Sequence, residues 1–97
     1  MNTKPAPNFF EKHVNSEGFS VQYVFPYKLI YKEDAHEMLI FVEPLAGTIP
    51  FEIYPESMSY WAPPFSSEPV TKEKKTQIIE NIRKIFKGLG YEIDIVP

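Results

Sequence analysis

The sequence predicts an α+β fold: an antiparallel sheet of four to five strands, one long amphipathic helix packed on one face, and a final strand after the helix. Three observations predict it. Between residues 19 and 54 apolar side chains recur at every second position, the period of a half-buried strand. One later segment changes to the helical period. The chain has 97 residues, enough for one domain with a thin core, so a sheet face and a helix stripe have to cover each other.

Residues 1–18 read as an extended lead-in and residues 19–97 as a single α+β domain. Pro5 and Pro7 favour an extended backbone, and Phe9 and Phe10 can pin the lead-in to the body. Phe19, Val21, Tyr23 and Phe25 then alternate with Ser20, Gln22 and Val24, and Pro26 limits that strand. Tyr27, Leu29 and Tyr31 alternate with Lys28, Ile30 and Lys32. The polar break Glu33-Asp34-Ala35-His36 separates two strand patterns and predicts a hairpin. Met38 to Val42 is apolar on both faces, which suits a central strand. Glu43 to Gly47 is a turn. Ile49, Phe51 and Ile53 line the next strand, with Pro50 at its start or on a free edge. Tyr54 to Pro69 is a long loop with four prolines, a length that often signals function.

The helix follows from several independent signals. Thr71 is a good N-cap, because its hydroxyl can accept from a free backbone N–H. Glu73 suits the positive end of the helix dipole; Arg83, Lys84 and Lys87 suit the negative end. Ile78, Ile79, Ile82, Ile85, Phe86 and Leu89 form one apolar stripe. Gly88 or Gly90 ends the helix. Tyr91, Ile93 and Ile95 alternate with Glu92 and Asp94 in the final strand.

Composition excludes several kinds of chemistry. There is no cysteine, hence no disulfide framework, thiolate zinc site or cysteine nucleophile. His13 and His36 lack a ligand partner at helical spacing, and no metal site is expected. Gly88-Leu89-Gly90 follows a helix, the reverse of a dinucleotide fingerprint, and no cofactor is expected. The net charge of −3 argues against nucleic-acid binding. It is unevenly placed: residues 71–87 carry +4 and the rest of the chain −7, so a basic helix lies on an acidic body. The apolar runs are too short for a membrane span, and the N-terminus lacks a signal-peptide run, so a cytoplasmic protein is expected.

Ser59-Tyr60-Trp61-Ala62-Pro63-Pro64-Phe65 holds the single tryptophan in a stiff loop. The indole either packs beneath the loop or faces a partner. Tyr54 to Pro64, followed by Glu68-Pro69-Val70-Thr71 and Ile78-Ile79-Glu80-Asn81-Ile82, resembles the bacterial immunity protein 74 family of polymorphic toxin systems. The hairpin from Leu29-Ile30-Tyr31 to Ile40-Phe41-Val42-Glu43 also fits, and the resemblance spans residues 27–96. It implies a protein that binds and neutralises a cognate toxin, and it carries no catalytic motif.

Two classes of function follow. The first is a non-catalytic immunity protein that occludes a toxin domain, as a monomer or weak homodimer. Its expected contacts are Tyr60, Trp61, Pro63, Pro64 and Phe65 as anchors, with Glu33, Asp34, Glu37 and Glu56 as charged contacts; Glu43 and Glu52 also carry acid on the body. The second is a small-molecule-binding or enzymatic domain with residues 55–69 as a lid over an aromatic pocket. A filled core beneath Trp61 favours the first, and an open pocket with converging polar groups favours the second.

Overall fold

A computed structural model describes residues 12–24, 26–45 and 49–96. The expectations for Pro5, Pro7, Phe9, Phe10, Phe25 and Gly47 lie outside the described residues.

The predicted antiparallel sheet is present and has six strands in sequence order: β1 (His13–Val14), β2 (Phe19–Val24), β3 (Lys28–Glu33), β4 (His36–Pro44), β5 (Phe51–Ile53) and β6 (Asp94–Ile95). The short β1 lies within the segment read as a lead-in. Strands β1 to β5 form an antiparallel meander. The last pair, β5 and β6, is parallel. A parallel neighbour requires a crossover connection, and the helix α1 (Lys72–Gly88) is part of that connection.

The β3–β4 hairpin closes through Asp34 and Ala35, with Glu33 opposite His36. Asp34 takes a left-handed φ of 52°, which a two-residue hairpin demands and aspartate tolerates. The β1–β2 turn uses Gly18 at φ 98°.

Strand alternation divides the sheet into two faces. Phe19, Val21, Tyr23, Leu29, Tyr31, Met38, Ile40, Val42, Phe51 and Ile53 are buried on the helix side. There they meet Ile78, Ile82, Ile85 and Phe86 of α1. Phe86 packs edge-on against Phe51 with ring centroids 5.1 Å apart, and Phe51 lies 5.5 Å from Tyr23.

Both helix ends follow their sequence signals. The Lys74 N–H donates to Thr71 Oγ1 at 3.1 Å. At the other end Gly90, with φ 90°, is the residue that turns the chain. Its N–H donates to the Lys87 carbonyl at 3.0 Å and the Tyr91 N–H to the Phe86 carbonyl at 2.9 Å, the paired bonds of a Schellman stop. Gly88 remains inside the helix.

The long loop takes the place of a strand. β5 pairs with only the last third of β4, at Val42, Glu43 and Pro44. Residues 54–62 run along the rest of that edge. The Tyr54 N–H donates to the Phe41 carbonyl at 3.1 Å, the Phe41 N–H to Ser57 Oγ at 2.8 Å, and the Ala62 N–H to the Glu37 carbonyl at 2.7 Å. Strand-edge groups that would otherwise invite pairing with another chain are thereby satisfied.

Candidate partner-binding surface

No described helix covers the sheet face turned away from α1; Val24, Lys28, Lys32, Leu39, Phe41 and Asp94 are exposed on it, and Ser20 on β2 is buried. Cross-strand register sets the rows of this face: Ser20–Lys32–Glu37, Gln22–Ile30–Leu39, Val24–Lys28–Phe41, then Glu43–Glu52–Asp94. Leu39 is 51 % exposed and Phe41 46 %. Val24 and Tyr27 are exposed beside them. Tyr27 stacks on Phe41 with ring centroids 5.8 Å apart, and Tyr54 flanks Phe41 at 5.3 Å. Tyr27 leaves the alternation that placed it with Leu29 and Tyr31, because it lies in the turn before β3. The expectation for β4 is corrected in one respect: it sits between two strands, but its second apolar face meets solvent.

The row Glu43–Glu52–Asp94 puts three carboxylates across three neighbouring strands. Like charges directly opposite each other destabilise a sheet, yet none of these three forms an ion pair with a described residue. The Tyr54 hydroxyl lies between two of them, donating to Glu43 Oε2 at 2.9 Å with Glu52 Oε1 at 3.3 Å. The bond to Glu43, together with desolvation and the nearby negative charge, pushes the phenol up to about 12. On the same face Glu37 is opposed by Lys32 at 3.9 Å.

The residues predicted to contact a partner are not gathered in one place. Trp61 is 4 % exposed and belongs to the core. Its ring meets His36 edge-on at 4.9 Å, and Phe65 stacks on the other ring of that pair, His36, at 3.9 Å. His36 Nε2 lies 3.0 Å from Glu68 Oε1, which ties the hairpin to the loop. Tyr60, by contrast, is 71 % exposed. Pro63, Pro64, Asp34 and Glu56 are exposed, whereas Phe65, Glu33 and Glu37 are half-buried. Glu33 is on the helix side, where it pairs with Lys74 and accepts from the Tyr31 hydroxyl at 2.6 Å. Glu37 is on the opposite face.

Leu39, Phe41, Tyr27, Tyr54 and Asp94 were absent from the sequence-predicted contacts. The signal that pointed to them was the two-sided apolar pattern of β4, combined with a single helix to cover one side. The loop rings pack inward, and a cavity of about 470 Å³ lies away from the loop, lined in part by Ile49, Arg83, Lys84, Lys87, Tyr91 and Asp94. Among the described residues no group of three histidines and carboxylates is placed to hold a metal ion. No described helix is long and apolar enough to cross a membrane.

The architecture defines a class: a small α+β protein with one sheet face buried under its helix and the other presented to solvent. Comparison with known families places it more closely. The family model described as immunity protein 74 matches residues 28–96, from the start of β3 through β6, and the chain belongs to that family. It is therefore an immunity protein, directed against a toxin. No curated protein and no solved structure matches the chain significantly.

Proposed function

We propose that this protein neutralises a cognate bacterial toxin domain of a polymorphic toxin system by binding it and occluding its working surface, without catalysis of its own. The observation that carries this reading is the family match over residues 28–96. The structure supports it through the fate of the Trp61 loop. That loop closes over a filled core rather than forming a lid, since Trp61 and Met58 are both among the buried core residues. Its inward rings hold it in shape before any partner arrives, which lowers the ordering cost of association. Tyr60, Pro63 and Pro64 are the accessible contacts of the loop, and Asp34 and Glu56 add exposed charge that steers encounter. The protein acts in the cytoplasm, as a monomer or weak homodimer.

The test is calorimetric titration of the full chain with the toxin domain encoded beside its gene, followed by an activity assay of that toxin. Saturable 1:1 binding with loss of toxin activity is expected. No binding at micromolar concentrations, or binding that leaves the toxin fully active, overturns the reading.

A further inference from the structure

The open sheet face has the composition of a docking surface, and its chemistry specifies the occupant. Leu39, Phe41 and Glu43 follow one another at alternate positions of β4, so they share one line on that face. The first two are exposed, and Tyr27 and Tyr54 flank Phe41 with their rings. Partly exposed aromatic rings already held by neighbours lose little conformational freedom on burial, the property of an interface anchor. At the end of the line, Glu43, Glu52 and Asp94 form no ion pair with a described residue, and the exposed Lys28 stands one row away on the same face. Folding leaves that repulsion in place; a cationic partner surface would relieve it.

The opposite side of the molecule carries the other sign. Lys72, Arg83, Lys84 and Lys87 are exposed on α1, where Arg83 pairs with Glu80 and Lys84 with Glu17. Asp94, at the β6 end of the acidic row, shares a cavity lining with Arg83, Lys84 and Lys87, so the partner's basic groups are expected chiefly against Glu43 and Glu52. Leu39, Phe41, Glu43, Glu52, Tyr54 and Asp94 lie within the segment matched by the family model, whereas Ser20, Gln22, Val24 and Tyr27 precede it.

Resting on the proposed function above, we infer that the toxin domain docks on the open sheet face, over Leu39 and Phe41, and places basic side chains against the Glu43–Glu52–Asp94 row. The partner is thus a toxin domain whose contact surface is apolar at its centre and basic at one edge.

The experiment uses full-length chains and the toxin domain encoded beside the gene. Binding is measured by calorimetry at low and high salt for wild type, a Leu39→Ser/Phe41→Ser variant, a Glu43→Gln/Glu52→Gln/Asp94→Asn variant, and a Lys72→Ala control on the helix. Circular dichroism and urea midpoints check that each variant is folded. The apolar variant is expected to lose about 30-fold or more in affinity. The amide variant is expected to lose about 10-fold at low salt, with a flatter salt dependence. The helix control keeps wild-type affinity. Hydrogen exchange of the wild-type complex is expected to slow at residues 39–43.

Wild-type binding that both open-face variants retain overturns this surface while leaving the immunity reading intact. If wild type does not bind, both fall. If the apolar variant instead abolishes self-association of the chain, or lowers its stability because residues 1–11 cover the face, and toxin affinity is unchanged, the face belongs to another occupant and the inference is wrong.

Discussion

The side-chain amide of Asn81 donates a hydrogen bond to the Tyr31 hydroxyl at 2.8 Å, joining the middle of α1 to the middle of the sheet. Tyr31 passes the chain on by donating to Glu33 Oε1 at 2.6 Å, and Glu33 pairs with Lys74 one helix end away. Tyr31 is fully buried and Asn81 is 9 % exposed. A polar link at such depth stabilises only while every member has its partner. Tyr31→Phe strands the Asn81 amide and is expected to cost about 1–3 kcal/mol. Asn81→Leu leaves the Tyr31 hydroxyl its bond to Glu33 and is expected to cost less. Urea unfolding of both single variants and the double variant checks this; strictly additive costs would mean the two side chains are not coupled.

Trp61 and Tyr60 are neighbours with opposite consequences. Trp61→Ala removes a large ring from the core and is expected to cost about 3–5 kcal/mol. Tyr60→Ala, at a position 71 % exposed, is expected to change stability by about 0.5 kcal/mol or less. The comparison of thermal or urea midpoints is direct. Equal losses would contradict the inward placement of the indole.

The two helix-end glycines make a matched pair. Gly90 sits at φ 90° in the Schellman stop, and Gly90→Ala is expected to cost about 1 kcal/mol. Gly88 is the last helical residue, with open space where a Cβ would go. Gly88→Ala is expected to stabilise by up to about 1 kcal/mol. At the other end Thr71→Ala is expected to cost about 1 kcal/mol, with Thr71→Ser retaining most of the stability. Opposite signs for the two glycines in chemical denaturation are the decisive outcome.

Two tyrosines make stability fall in alkali. Burial, and then the hydrogen bond to Glu33, raise the Tyr31 hydroxyl above its ordinary value; the bond to Glu43 raises Tyr54 to about 12. In the unfolded chain both release their protons near about pH 10. The folded state holds these protons more tightly, so the contribution is complete below about pH 10 and is lost as pH rises through the folded values. The urea midpoint is expected to drop between about pH 10 and 12, and Tyr54→Phe is expected to shallow the drop. A midpoint that rises across this window contradicts the assignment.

Much of the fold was legible because its signals are local. The alternation of Phe19, Val21 and Tyr23, the hydroxyl of Thr71 and the stripe from Ile78 to Phe86 each act within one element. The candidate surface was legible only in part. Glu43 and Glu52 could be read as acids on the body, but not as cross-strand neighbours of each other, nor Asp94 as the next in their row. Asn81 was hidden for a different reason: its place within the apolar stripe turns the amide toward the sheet, but the hydroxyl that satisfies it lies 50 residues away in sequence. His36 read as a hairpin residue, and its role as the aromatic step between Trp61 and Phe65 depends on a loop that returns from far along the chain.

The chain by itself determined the helix and the strands from β2 onward, their apolar faces and where the helix starts, because dihedral preference, alternation and capping involve residues a few positions apart. It left the helix stop between Gly88 and Gly90 and did not mark β1. It also held the asymmetry that matters most: one helix can cover only one face of a sheet. The tertiary structure alone decided which rings sit inside, which carboxylates line up, and that the proline-rich loop serves as the edge of β4. Those outcomes depend on contacts between residues distant in sequence, where register and layer order place each side chain either against a neighbour or against water.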